Sequence, residues 1–593
     1  MKRPVKHIIF ILLLVLLALP VFQHATKIFG IRHLSGDFVL ATRPSFSWAG
    51  WMEGSFQAQF DRYIEDHIGF RNFFVRLNNQ IDFSLFDKAN ADGVVVGKDK
   101  MLYEYDYIRA YTGGDFVGER FIDKKLRRLK FLQRHLKNNF DIDFILMFEP
   151  SKARVYPEYI PDRFLKDGFT STNYDTYKRK AQELDVRFID LNRYFLQLKD
   201  TIRYPLYPKF GIHWSEHTMT FVADTLTRLI ESVRNIELPE YEVSEIRISD
   251  SLADSDYDVG KTINLLWQLP HQPMPYPVFS FNDDQQAQKP MVLAVADSYY
   301  WNFFNTRIPK HLFANEDFWY FNARVYPDTY FGERWTHELD LRQETEKQDV
   351  ILLSVTDRFM YKFDWGFVDQ VYNLYGPDYS GDFVYSYENS ILKDSEWFDR
   401  IVENSEKKGV PLSEAIHTEA KYQAWASEPD LFLTWYGMEH FTTLIDKDTV
   451  WSKAIREKAA SNNVSYGEQL KEDADYIFRT DHPETYKKHM LIKKYQESIS
   501  KDPAWMEAIA KKAAYFEMPV EEMISVDAEY MADQELSRMS PDEEKIKGYE
   551  DAIRNDPEWL EAVRQKAEAR GVPLDEMIRE DARYMAEQEK KDK

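Results

Sequence analysis

The chain opens with an uninterrupted apolar run from Ile8 to Phe22, preceded by Lys2, Arg3 and Lys6. A basic flank before an apolar helix is the layout of a secretory signal or an uncleaved signal anchor, with the positive end kept inside and the rest of the chain outside the cytoplasm. The run is shorter than the roughly 20 residues of a full span. A small-x-small cleavage pattern is nevertheless missing, because Gln23 stands two positions before Ala25. Residues 1–30 therefore read as a single N-terminal transmembrane anchor, with a cleaved signal as the alternative. From Leu34 to Leu102 apolar and aromatic positions recur at helical spacing, as at Phe56, Phe60, Tyr63 and Ile64, and end in the turn-rich Val94–Lys100. This predicts a helical lead-in followed by a hairpin.

Short apolar runs then alternate with helical patterns, at Ile142–Phe148, Val186–Leu191, Met291–Ala296, Phe318–Val325 and Val350–Val355. Strand-length runs separated by amphipathic helices imply an α/β domain whose parallel sheet is covered on both faces. Between Leu238 and Pro290 the pattern fails. There Pro270, Pro273, Pro275 and Pro277, with Asn282-Asp283-Asp284, mark a long irregular connection. We assign residues 31–385 to this domain.

The remaining third carries an internal repeat. Trp397, Trp451, Trp505 and Trp559 recur every 54 residues, with Tyr387, Phe441, Tyr495 and Tyr549 ten positions before them. Asp394, Asp448, Asp502 and Asp556 lie three before, and Tyr422, Tyr476, Tyr530 and Tyr584 lie 25 after. Each copy reads as helix, short turn, helix, as in Pro557 to Arg570, Gly571–Leu574 and Asp575 to Glu589. Asp556 is placed as an N-cap, Gly571 as a C-cap, and Pro573 starts the next helix. Residues 386–593 are thus expected to form an all-α array in which each unit covers its neighbour's apolar face. The repeated Trp and Tyr positions are expected to form each unit's core, with a binding face as the alternative. A site on the array is expected where copies differ, for instance at Leu431–Tyr436 after the first copy.

A chain of 593 residues needs more than one core, and 44% hydrophobic with 15% aromatic residues can supply them. The formal net charge of -23 argues against a nucleic-acid partner, since affinity for polyanions rests on Lys and Arg. The absence of cysteine excludes disulfides, thiolate-held zinc, iron–sulfur clusters and a thiol nucleophile.

Two segments could carry chemistry. Lys289–Ala296 is a buried-type strand ending in Asp297-Ser298, followed by Tyr299 and Tyr300. A serine there stands at the carboxyl edge of a parallel sheet, where backbone N–H groups of the next turn can hold an oxyanion; a plain helix cap is the competing reading. A candidate base for it is available in Tyr207–His217, where His213 lies on a short loop entering the amphipathic stretch from Thr218 to Leu229, with a surface histidine or a hydrogen-bonded core one as the alternative. His217 would permit a metal pair at i, i+4, but no third ligand is evident, so no metal and no cofactor is assigned.

The chain resembles the alginate O-acetyltransferase group of SGNH-hydrolase-like proteins. The resemblance is carried by Tyr63–Asn72, Val94–Asp99, Pro150-Ser151-Lys152 with Tyr156-Pro157, His213-Trp214, Asp297-Ser298-Tyr299 and Thr356-Asp357-Arg358. These occur in the family's order over about residues 30 to 380, and the repeats lie outside it. The resemblance implies an SGNH-like three-layer domain with Ser298 as nucleophile and His213 as general base, supported by Asp297, Tyr299 and Trp214. Lys152 and Arg358 stand at family positions suited to anionic substrate groups, with ordinary ion pairs as the alternative. It further implies a polysaccharide substrate, a membrane acyl-transfer partner, and a place on the periplasmic side of the bacterial inner membrane. One departure is clear: the family's acid, two residues before the histidine, is replaced by Gly211. Glu216 or a backbone carbonyl is the expected substitute; failing that, the protein is a non-catalytic carbohydrate-binding scaffold.

Overall fold

The computed structural model describes residues 3–36, 39–166, 171–282, 287–538 and 541–591. Lys2 of the basic flank and Asp283-Asp284 of the long connection lie outside them. The chain divides into two compact units, Met1–Leu374 with Phe398–Ser413, and Tyr375–Trp397 with Glu414–Lys593.

The first unit begins with a helix over Arg3–Thr26, of which Val5–Thr26 is long and apolar enough to cross a membrane. Its end is tied to the lead-in helices Ser55–His67 and Arg71–Phe86. The His24 ring nitrogen Nδ1 meets the His67 carbonyl at 2.6 Å. A Cβ at Gly69 would fall 2.1 Å from the Pro20 carbonyl oxygen, so this contact requires a residue without a side chain. The hairpin follows as β1 (Val94–Val96) and β2 (Leu102–Glu104).

The central sheet uses β3 (Asp143–Glu149) and β4 (Phe188–Asp190). The long connection is less irregular than its prolines suggest. It folds into an antiparallel ribbon of β5 (Tyr241–Ser249) and β6 (Met274–Phe281), where prolines are tolerated because a two-stranded ribbon has only edges. The sheet continues through β7 (Val292–Ala296), β8 (Phe318–Tyr320), β9 (Arg324–Thr329), β10 (Gly332–Trp335) and β11 (Val350–Thr356). Its order is β10-β9-β8-β7-β11-β3-β4. The strands from β8 to β4 run parallel, while β9 pairs antiparallel with both β8 and β10, so the sheet is mixed. The run Phe318–Val325 supplies two strands because Phe321 and Asn322 take positive φ and reverse the chain. β3, β7 and β11 are buried along their whole length, as a sheet covered on both faces requires. One face packs Ile145, Met147, Ala294 and Leu352 in a core with Met219, Val222 and Leu226 of the helix Glu216–Arg234. On the other, Phe144 meets Phe367.

The second unit is helical among its described residues. Each 54-residue interval holds three helices rather than two, as in Pro429–Lys447, Thr449–Asn462 and Tyr466–Asp481. The same set recurs as Pro483–Lys501, Pro503–Phe516 and Val520–Arg538. The expected connector Leu431–Tyr436 lies inside the first of these helices, which Pro429 opens at a position where its missing N–H costs nothing. The repeated aspartates cap the helices that carry the tryptophans: Asp448, Asp502 and Asp556 accept from the N–H groups of Trp451, Trp505 and Trp559, and Asp394 from that of Trp397. Trp451, Trp505 and Trp559 pack against the apolar clusters of their units. The four repeated tyrosines do not. Tyr422, Tyr476, Tyr530 and Tyr584 are 63%, 60%, 64% and 60% exposed, which corrects the expectation that they are core.

Candidate active site

Ser298 lies two residues beyond the end of β7, so a strand buried on both sides delivers its hydroxyl to the carboxyl edge of the sheet. Asp297 fixes the turn. One of its oxygens accepts from the backbone N–H and hydroxyl of Thr356 at the end of β11, both at 2.8 Å, and the other from the Tyr299 N–H at 3.0 Å. Asp297 is fully buried, and burial raises its pKa above the ordinary carboxylate value. Glu149 at the end of β3 is raised well above its own ordinary value, by burial and then by the charge of Asp297. The charge of each disfavours ionisation of the other in this buried setting.

His213 is held from three directions. Ser215, two residues on, caps the helix Glu216–Arg234 by accepting from the Thr218 N–H. Tyr299 donates its hydroxyl to the Ile212 carbonyl at 2.8 Å, and Asn302 donates to the Trp214 carbonyl at 2.8 Å. Trp214 is buried with its ring 5.1 Å from that of Tyr299. Residues just after the serine thus grip the loop on both sides of the histidine. His213 Nε2 lies 2.8 Å from Ser298 Oγ.

The third member comes from neither expected place. His213 Nδ1 lies 2.8 Å from Asp258 Oδ2, and the other Asp258 oxygen accepts from the backbone N–H groups of Ile212 at 3.0 Å and Val259 at 2.6 Å. Asp258 opens a short helix, Asp258–Thr262, inside the long connection. The ribbon holds the segment before it: the Tyr276 hydroxyl of β6 donates to Asp256 and accepts from the Ala253 N–H. Gly211 explains why the acid is supplied from there. A Cβ at that position would lie 2.2 Å from the Ser255 carbonyl oxygen, so the space that a side chain at 211 would need is filled by the backbone that brings Asp258 in.

Glu216, the expected substitute, lines the same cleft but does not partner His213. Its carboxyl is raised above the ordinary value by burial and by Asp256. Lys152 is buried and donates to the carbonyls of Lys209 at 2.9 Å and Gly211 at 2.8 Å, which makes it a brace for the histidine loop rather than a residue of the cleft. Burial pulls its pKa down to about 7. Arg358 is engaged by Glu104 and, at 3.1 Å, by Asp106, and it lies over the Tyr107 ring. Burial opposes its charge, but Tyr107 and these carboxylates outweigh it and raise its pKa. His217 lies against Tyr204 and Phe221, and no cluster of three metal-ligating side chains occurs among the described residues.

Ser298, His213 and Asp258 open onto a cleft of about 700 Å³, also lined by Trp301, Asn305 and Phe279. The arrangement can move a proton from Ser298 Oγ to an imidazole whose far nitrogen is held by a carboxylate, as nucleophilic acyl transfer requires. Sequence reasoning missed Asp258 because Asp250, Asp254, Asp256 and Asp258 crowd one irregular stretch with nothing local to distinguish them.

Residues 94–289 match the family model of the SGNH hydrolase-like domain of the acetyltransferase AlgX, which upholds over that stretch the resemblance read from the ordered motifs. His213 and Asp258 lie within the match and Ser298 just beyond it. Among solved structures the chain is similar to the O-acetyltransferase domain of Pseudomonas putida AlgJ, at 16% identity and a TM-score of 0.31, covering 48% of this chain and 99% of that one. It is similar also to Pseudomonas aeruginosa AlgX, at 13% identity and a TM-score of 0.31, covering 46% of this chain and 67% of that one. A third is Bacillus cereus PatB1 with a sulfonyl adduct, at 15% identity and a TM-score of 0.30, covering 46% and 99%. Comparison with curated proteins finds no match.

Proposed function

We propose that residues 31–385 form an extracytoplasmic O-acyltransferase that modifies hydroxyls of a cell-surface or exported polysaccharide through an acyl-Ser298 intermediate, with residues 386–593 as an appended helical array. The observation that carries this reading is the His213 ring, placed at 2.8 Å from Ser298 on one side and from Asp258 on the other. His213 Nε2 takes the proton of Ser298 Oγ as the oxygen bonds to the acyl carbonyl carbon, and returns it to the leaving group of the donor. A sugar hydroxyl then gives its proton to His213 and attacks the same carbon; the bond to Ser298 Oγ breaks, His213 returns the proton to Oγ, and the sugar leaves as the ester. Asp258 fixes the tautomer with the proton on Nδ1 and stabilises the imidazolium formed in each half-reaction. The Tyr299 N–H is occupied by Asp297, so the serine's own N–H is assigned to the developing oxyanion. Entry of water in place of the sugar would make the same site an esterase.

The anchor reading gains support from the lead-in. Phe46, Trp48, Trp51, Met52, Phe60 and Ile64 are exposed, and they precede the Gly69 contact with the end of the apolar helix. Aromatic side chains of this kind favour the membrane–water boundary. The reading places the protein in the bacterial cell envelope, on the periplasmic side of the inner membrane, where a membrane-bound partner supplies the acyl group. The non-catalytic alternative rests on Gly211 and on the large helical tail, and Asp258 beside His213 answers the first of these.

The test is incubation of the full chain in detergent with p-nitrophenyl acetate, followed by peptide mass spectrometry. An acetyl group on Ser298 that is absent from His213→Ala is the expected result. Hydrolysis or acetylation independent of both residues would sink the assignment.

A further inference from the structure

Each repeat contains the motif Asp/Glu-Ala-x-Tyr on the last helix of its unit, as Glu419-Ala420-Lys421-Tyr422, Asp473-Ala474-Asp475-Tyr476, Asp527-Ala528-Glu529-Tyr530 and Asp581-Ala582-Arg583-Tyr584. The motif carries its own control. The alanine is kept in all four copies and is 0% exposed in all four, so packing accounts for it. The residue before the tyrosine is Lys, Asp, Glu or Arg, and the residue after it Gln, Ile or Met, so these positions have been free to drift. The tyrosine has not drifted, yet it is 60–64% exposed in every copy and its hydroxyl has no hydrogen-bond partner among the described residues. Packing, which would bury it, does not explain a fourfold exposed tyrosine.

The surroundings are repeated too. Lys458–Asp473, Lys512–Asp527 and Lys566–Asp581 are ion pairs in one register, with the lysine 51–54% and the aspartate 16–18% exposed. Each aspartate stands three residues before its tyrosine and therefore on the same helix face. In these three copies the repeated surface element is thus an exposed aromatic ring beside a carboxylate and an ammonium, whereas the first copy has Glu419 and Asn404 at the positions of the pair, so Tyr422 shares only the exposed ring.

We infer that the helical array is a glycan-binding arm, and that Tyr476, Tyr530 and Tyr584, with Tyr422 as a variant fourth, are stacking positions for successive parts of one neutral polysaccharide chain. Equal sites at fixed intervals suit a ligand that itself repeats. A tyrosine ring offers its face to the C–H face of a sugar and its hydroxyl to a neighbouring oxygen, and the Asp–Lys pair supplies an acceptor and donors for sugar hydroxyls. The net charge of -23 makes a neutral chain a better occupant than a polyanion. The choice of a glycan over another polymer rests on the function proposed above. Four weak sites on one chain combine by effective concentration, so affinity rises steeply with ligand length.

The test uses the full chain in detergent and native affinity electrophoresis in gels containing dextran, mannan, alginate, or total polysaccharide extracted from the envelope and medium of the host bacterium. The wild type is expected to be retarded by a neutral or host polysaccharide and not by alginate. Each single Tyr→Ala is expected to weaken retardation about two- to tenfold, and the quadruple variant to abolish it, with unchanged circular dichroism and unchanged p-nitrophenyl acetate hydrolysis. Ser298→Ala should keep the retardation while losing hydrolysis, so the two readings fail separately. Equal retardation of wild type and quadruple variant, no retardation by any neutral or host polysaccharide, retardation by alginate alone, or loss of a bound envelope protein in place of a glycan would each overturn the assignment.

Discussion

The two units use repeated and dispersed information in opposite ways. In the helical array, the cap, the buried alanine and the exposed tyrosine of a unit all lie within one 54-residue copy, so the sequence period alone places them relative to one another. In the α/β unit, the serine, histidine and acid are far apart in the chain and lie on three different segments, and the sheet and its ribbon bring them together. A local motif can therefore be read from sequence as to which residues recur and in what register, though not as to which of them are buried. A dispersed site can be read only as far as its members are individually distinctive.

The strongest way to break this contrast is to remove the dispersed site. Ser298→Ala or His213→Ala should lower acyl transfer by about 10⁶ with the fold intact, since members of such a unit act together. A residual rate close to wild type would mean the three residues are together for structural reasons. Asp258→Asn should lower kcat by about 10⁴, as loss of the charge behind a catalytic histidine does. Glu216→Gln, by contrast, should leave kcat within a few-fold. The reverse order of effects would restore Glu216 as the acid.

A third change tests the exchange between Gly211 and the Asp258 segment. Gly211→Ala places a methyl against the Ser255 carbonyl and should cost about 1–3 kcal/mol in stability, together with activity, because the loop holding Asp258 must move. Chemical denaturation of the two proteins checks it; equal midpoints would mean the loop yields freely.

Lys152 gives a smaller, pH-dependent signal. Its folded pKa, about 7, lies below the unfolded lysine value. Between these values the unfolded chain binds the extra proton, so this group makes stability rise with pH from about 7 towards 10, by at most about 1.4 kcal/mol per pH unit. Lys152→Met should flatten that rise in melting experiments at pH 7 to 9.5, and identical slopes would refute the assignment. The smallest effect belongs to the array: Tyr530→Ala should change stability by less than about 0.5 kcal/mol, whereas a buried core tyrosine would cost several times more.

Most elements of both units were legible in the chain. β3, β7 and β11 appear as continuous apolar runs because both faces of each are buried, and the helices of the array appear through caps and period. The exceptions have physical causes. Phe318–Val325 reads as one strand because hydropathy does not report the positive φ at Phe321 and Asn322 that folds it into two. The segment Leu431–Tyr436 reads as a connector because its helix is rich in aromatics, which helix propensity disfavours and packing accepts. Lys152 and Arg358 were visible as charges, but whether such a charge faces a substrate or a carbonyl and carboxylate of its own chain depends on neighbours distant in sequence.

The sequence by itself determined the apolar N-terminal helix, the α/β alternation, Ser298 at a strand end, His213 before a helix, and the fourfold repeat, because each is written in residues close together. Only the tertiary structure decided the rest. Asp258 became the third group because Gly211 leaves room for the backbone of a distant loop, and the repeated tyrosines became a surface because the exposure of a side chain is set by what packs around it.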